Sequence, residues 1–195
     1  MQTTEKKLED ISEIITGLPI QRYMKKEDTV GKKVIDNKSI DEIDQKFETF
    51  DVNMSANIKE QFISRKDDIL YKVQQKSFAK QITTEVDVVI PNSYIIIRVN
   101  DTSEVNPRFL THYLNDPRVI YEIQRQIDST KIMKVNTSIL KELHVKLPDI
   151  EIQNCYSTLI NKIYERIELK KKSIKCDTDL VNSLYDEVIG DSYEK

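Results

Sequence analysis

No glycine or proline interrupts the chain between Asp149 and Gly190, and a stretch of that length folds as one helix roughly 60 Å long at 1.5 Å rise per residue. Its apolar residues repeat in heptads. With Ile160, Ile167, Ile174, Val181 and Val188 at position a, position d falls on Tyr156, Ile163, Lys170, Asp177 and Leu184. All five a residues are β-branched, and three of the five d residues are apolar or aromatic. This is the pattern of a seam that coils against another helix. A helix lying along its own domain is the alternative, but a domain of roughly 150 residues is too small to cover that length. Lys170 and Asp177 interrupt the seam near its middle. Polar residues at core positions cost stability but set register and partner orientation. Two antiparallel copies have a register that places every a against a d. Ile160 then faces Leu184, Ile163 faces Val181 and Tyr156 faces Val188, while Lys170 faces Ile174 and Asp177 faces Ile167. Parallel pairing stays open.

The residues ahead of this helix carry mixed signals. Leu8, Ile11, Ile14 and Ile15 suit a short helix or a helix-to-strand entry, stopped by Gly17 and Pro19. Weak strand signals follow at Val34-Ile35 and from Phe47 to Val52. Asp67-Asp68 predict a turn, and Ile69 to Val73 a strand. Val86 to Ile90, a turn at Pro91-Asn92-Ser93, and Tyr94 to Val99 predict a hairpin. The unbroken Ile95-Ile96-Ile97 implies a strand buried on both faces. Asn106-Pro107 and Asp116-Pro117 both read as helix starts with proline at the first helical position. Two consecutive helices and one kinked helix fit equally. Asn136 or Thr137 can cap a short helix through Leu143, and His144 to Leu147 predicts a strand. The expected fold is therefore a mixed α/β (α+β) domain over residues 1–147, followed by a long coiled-coil helix over residues 148–195.

Composition narrows the chemistry. The formal net charge is −3, so any nucleic-acid site must be a local patch. No run of 18 apolar residues exists to span a membrane, and the opening MQTTEKKLED has no apolar leader, so a cytoplasmic protein is expected. Cys155 and Cys176 fall 21 residues apart on the predicted helix, roughly 30 Å and beyond disulfide reach. His112 and His144 have no cysteine or carboxylate at ligand spacing, so no metal is expected. Phosphate-binding glycine loops, GxSxG and HExxH are absent from the sequence. Pro148-Asp149 with Glu168-Leu169-Lys170 scans as a nuclease pattern. That chemistry needs its carboxylates gathered on adjacent strands, and one helix would hold these nearly 30 Å apart. Asp149 is better placed as a helix-start residue facing the positive end of the dipole. No catalytic residue and no cofactor is therefore expected.

Local basic clusters remain. Arg22, Tyr23, Lys25 and Lys26 follow the Gly17-Pro19 break; Lys72, Lys76 and Lys80 follow a predicted strand; Lys131 and Lys134 sit in a predicted loop. Each set mixes cations with amides, hydroxyls or an aromatic, as phosphate and base-edge contacts require. Ordinary solvated surface is the competing explanation for each, and Lys170 to Lys172 read simply as helix surface.

The order of features resembles the specificity subunits of type I restriction-modification systems over nearly the whole chain. The likeness runs from LEDISEIITG (residues 8–17) through SRKDDILYKV (64–73) and PNSYIIIRV (91–99). It continues in the helical block from Pro107 and in STKIMKVNTSILKELHVKLPDIEIQ (129–153). Leu147, Pro148, Ile150 and Gln153 match the family's passage into its long helix, whereas Asp149 replaces a usual proline and Ile152 a common glutamate. The resemblance implies a non-enzymatic reader of double-stranded DNA. Its target recognition domain would read half of a split site in the major groove. Its helix would act as spacer and dock the methyltransferase (M) subunits, and the restriction (R) subunit would be a further partner in the complex. Members usually carry two such domains and two helices, and this sequence has one of each. It would therefore homodimerise, or pair with another specificity subunit. A coiled-coil adaptor with a non-DNA ligand is the reading from another class.

Overall fold

A computed structural model of the chain describes residues 3–24, 29–36, 47–73, 78–84, 86–127 and 135–189. Two compact units are present, Met1–Cys155 and Tyr156–Lys195. In chain order the elements are β1 (Thr3–Lys7), α1 (Leu8–Ile11), β2 (Ser12–Thr16), β3 (Thr29–Ile35), β4 (Thr49–Ser55), β5 (Ile69–Lys72), β6 (Ala79–Gln81), β7 (Tyr94–Val99), α2 (Pro107–Leu114), α3 (Pro117–Arg125), α4 (Thr137–Lys141), β8 (His144–Pro148) and α5 (Ile150–Ile189). This is the mixed α/β architecture with a long C-terminal helix. None of the described helices is long and apolar enough to cross a membrane.

The central sheet has the order β2-β7-β5-β6, and every pairing in it is antiparallel. β7 lies inside it, and its lack of alternation follows from that position. Ile95 and Ile97 face a core completed by Phe109, Leu110 and Leu114 of α2 and Ile123 of α3. Tyr94 and Ile96 face a second core with Ile35, Leu70, Ile82 and Ile90. A strand with a core on each side has no polar face to offer. The proline signals resolve as two helices. Asn106 caps α2 by accepting from the Phe109 N–H, and Asp116 caps α3 by accepting from the Arg118 N–H. The Arg118 guanidinium also donates to the Asp116 carboxylate, at 2.9 Å and 2.7 Å. That hydrogen bonding holds the Asp116 pKa at about 2, so this cap stays ionised down to strongly acid pH.

One expectation fails. Residues 86–90 do not form a hairpin with β7. Both edges of β7 are already taken, by β2 and by β5. The segment instead bridges other chain, with Val89 paired to Val34 and to Ile63. Its side chains still alternate between two cores: Val88 and Ile90 enter the second, while Val89 joins Leu18, Val34, Val52 and Met54 in a third. Burial could therefore be satisfied without the predicted partner.

Gly17 marks the tightest backbone approach. A Cβ there would lie 2.2 Å from the Pro91 carbonyl oxygen and 2.8 Å from that of Ile90. The two segments are joined by hydrogen bonds from Leu18 N to Ile90 O and from Asn92 N to Leu18 O. Backbone cannot swing aside as a side chain does. Gly17→Ala is therefore expected to cost about 3 kcal/mol, at the upper end of overpacking effects. Chemical denaturation of the purified variant measures this. A loss under about 0.5 kcal/mol, the level of neutral surface changes, would show that the two segments can part cheaply.

Candidate nucleic-acid interface

The cations singled out in the sequence do not share one fate. Arg22 is exposed in a 3₁₀ turn, Ile20–Arg22, built by the Pro19 break. It lines a cleft of about 500 Å³ with Gln21, Asp36, Phe50 and Asn92, and its side chain makes no ion pair among the described residues. Tyr23 follows it and is half-buried against the third core. Lys72 ends β5 and is partly exposed. Lys80 is only 3% exposed, with its Nζ 4.4 Å from the centroid of the Phe47 ring. Its register opposite Leu70 turns it toward the second core. The exposed contact expected from its place after a strand is thus not offered by this arrangement. Lys25, Lys26, Lys76, Lys131 and Lys134 lie outside the described residues.

Other exposed cations stand on rigid supports that their spacing did not reveal. Arg65 and Lys66 occupy the turn before β5. Asp68 sits beneath them, fully buried, and takes the Arg98 Nε at 2.8 Å and its second guanidinium nitrogen at 3.1 Å. It also accepts the Arg65 N–H at 2.8 Å, and Arg98 reaches the Ile63 carbonyl at 2.7 Å. Both carboxylate oxygens and two of the three guanidinium nitrogens are thus hydrogen-bonded, which is what makes burying two charges tolerable. Next to it, Asp67 adopts φ 70°, a left-handed conformation that aspartate tolerates, and accepts from Gln81 Nε2. Lys33 is exposed on the two-stranded β3–β4 ribbon, whereas Lys32, opposite Val52, is half-buried on its other face. The signal that could have found Arg65 and Lys66 is the Ser-Arg-Lys-Asp-Asp string itself, in which a cation pair precedes a predicted turn.

Within the first unit, the opening turn of α5 is pinned by Gln153, which is buried. Its Oε1 accepts the Asn106 N–H at 2.9 Å, and its Nε2 donates to the Glu104 and Pro148 carbonyls at 3.0 and 2.8 Å. A side-chain amide that satisfies three backbone groups anchors this first turn within the unit. Sequence reading missed this role of Gln153, although it matched the position to the family's passage into its helix.

The described residues of the second unit, 156–189, are all helix. Tyr156, Ile163, Ile167, Ile174, Val181, Leu184 and Val188 are exposed, Ile174 at 65% and Val188 at 82%. Ile160 is half-buried, and Lys170 and Asp177 are exposed on the same seam. An apolar stripe of this length is far beyond the scattered hydrophobics of ordinary surface. Charge is unevenly spread along it. Residues 156–172 carry five cations and two carboxylates, net +3; residues 173–189 carry one cation and four carboxylates, net −3.

Solved structures match this arrangement. A chain from the structure of a type I restriction-modification system, solved to explain its complex assembly and conformational transition, matches 92% of this chain and 43% of its own length, with a TM-score of 0.65 at 16% identity. The HsdS subunit from Thermoanaerobacter tengcongensis matches 95% of this chain and 49% of its own, with a TM-score of 0.64 at 14% identity. The type I restriction-modification S subunit from M. genitalium matches 94% and 44%, with a TM-score of 0.58 at 14% identity. The fold is that of type I specificity subunits, and the chain spans less than half the length of each of these. No family model matches the sequence, and no curated protein matches it.

Proposed function

We propose that this chain is the non-catalytic DNA-reading component of a type I restriction-modification complex, directing M and R subunits to a split target site in the cytoplasm. The observation that carries this reading is the likeness of fold over more than nine-tenths of the chain, recognition-type unit and long helix together. A shared fold alone leaves function open. Exposed cations on rigid turns and an exposed helical seam supply the two surfaces the role needs.

The helix seam is proposed to join two copies. An antiparallel pair lays the +3 half of each helix along the −3 half of its partner, whereas a parallel pair lays like charge on like. Charge complementarity of this kind selects orientation more than it adds affinity. Antiparallel pairing also gives the a-to-d register derived from the heptads. Such a homodimer is two-fold symmetric and would read an interrupted palindrome. Pairing with a different specificity subunit would give an asymmetric target instead.

The test is a base-resolution methylome of the host with and without the gene, coupled to duplex binding by the purified chain. Loss of one split adenine-methylation motif is expected. Affinity is expected to fall by about 10³-fold or more between 50 and 200 mM salt, as for proteins that neutralise several phosphates. An unchanged methylome together with weak, salt-insensitive binding would replace this reading with the coiled-coil adaptor.

A further inference from the structure

Two of the glycines can be compared directly, and they differ. Gly17 is demanded by the fold. Gly31, in the middle of β3, is not: a Cβ there would meet only Asn53 Oδ1, at 3.9 Å, and its φ lies outside the left-handed region. Glycine inside a strand weakens it, and commonly marks a place where a ligand or another backbone comes close. The fold offers no reason of its own for this one.

The ribbon around it has two different faces. Residues directly opposite in an antiparallel pair share a face. Val34, Val52 and Met54 lie on one face and are buried in the third core. On the other face are Gly31 opposite Asn53 and Lys33 opposite Asp51, with Thr49 beyond. All five residues are exposed, and the side chains of Lys33, Thr49, Asp51 and Asn53 make no hydrogen bond or ion pair among the described residues. Ile35 ends the open stretch by turning into the second core.

The chemistry of this face suits one occupant. A lysine donates to guanine O6 and N7, an asparagine pairs with adenine, an aspartate accepts from cytosine N4, and a threonine serves either way or contacts the thymine methyl. All four stand on one side of a two-stranded ribbon, a shape the major groove of B-DNA admits. The open stretch covers roughly 13 Å at the rise of a strand. A protein-docking face would be expected to place aromatic or aliphatic anchors at its centre, and this face has none. One cation against one carboxylate also disfavours a simple phosphate-binding patch, which would be uniformly basic.

We infer that the outer face of the β3–β4 ribbon enters the major groove and reads base edges through Lys33, Asp51 and Asn53, with Gly31 leaving room for the DNA to approach. This inference rests on the reading of the chain as a DNA specificity component. Selection from a pool of random duplexes with the purified full chain tests both. Wild type should enrich one motif. Gly31→Val should keep its melting temperature within about 3 °C of wild type, since nothing crowds the site, yet lose at least about tenfold in affinity for that motif, the scale of one lost base contact. Asn53→Ala and Lys33→Ala, both exposed, should relax preference at single positions of it. If wild type enriches a motif and all three variants keep both motif and affinity, the ribbon is not the reading face, though the chain remains a reader. A change in oligomeric mass with DNA binding intact would assign the face to a protein partner and overturn the inference. If wild type enriches nothing, the specificity reading falls and the inference with it.

Discussion

Ile167→Asp should convert the proposed antiparallel dimer to monomer, and Ile167→Lys should not do so to the same degree. In the antiparallel register Ile167 faces Asp177 of the second copy, twice per dimer. A carboxylate at 167 discards two buried isoleucines, each worth about 1.5–3 kcal/mol, and sets like charges face to face in both layers. The dimer dissociation constant is then expected to rise by about 10²–10⁴-fold, at 1.4 kcal/mol per decade. A lysine at 167 loses the same apolar contact but meets Asp177 with opposite charge, so part of the loss returns. In a parallel dimer residue 167 faces its own copy, and the two substitutions would be about equally disruptive. Sedimentation equilibrium of both variants separates the cases. Equal losses would refute the antiparallel register, and no loss with aspartate would remove the seam altogether.

The second large effect belongs to Asp68. Asp68→Ala leaves the Arg98 guanidinium buried without its carboxylate and the Arg65 N–H without its acceptor. Breaking a buried pair from one side costs about 3–5 kcal/mol. For a chain of this size that is a fall of roughly 10 °C in melting temperature. Removing both charges, Asp68→Ala with Arg98→Met, should restore a good part of it, because the cost lies in the unpaired ion rather than in the lost attraction. Thermal melts of the two single variants and the double variant provide the check. If the double variant is no more stable than the worse single one, the pair contributes something beyond mutual neutralisation. The Asp68→Ala turn should also hold Arg65 and Lys66 less firmly, and so weaken duplex binding at low salt.

Features carried by residues three to seven apart are legible in the sequence alone. The absence of breakers after Asp149, and the heptads that follow, predict α5 nearly to its ends. Asparagine or aspartate followed by proline marks the starts of α2 and α3, and Asn136-Thr137 that of α4, where the structure selects Asn136 as the cap, because a cap needs only its own next turn. The unbroken apolar run of β7 announces burial on both faces. The fold class and the likeness to specificity subunits follow from the order of such local signals.

Partner choice is not legible in the same way. β1 is polar and largely exposed, and it exists because Thr3–Lys7 pairs with His144–Pro148 at the far end of the unit. Nothing in Thr-Thr-Glu-Lys-Lys encodes that. Val86 to Ile90 has the composition of a strand, yet the edges of β7 went to β2 and β5. The basic triplet at 72, 76 and 80 looks uniform along the chain, but Lys80 points into a core beside Phe47. Lys33, Asp51 and Asn53 meet only because β3 and β4 pair in one register, and Gly31 gains meaning only once the space around it is known. Helix signals act through neighbours along the chain. Strand pairing and side-chain burial are settled by competition among distant segments for the same edges and the same apolar space, and that competition is decided only in the assembled fold.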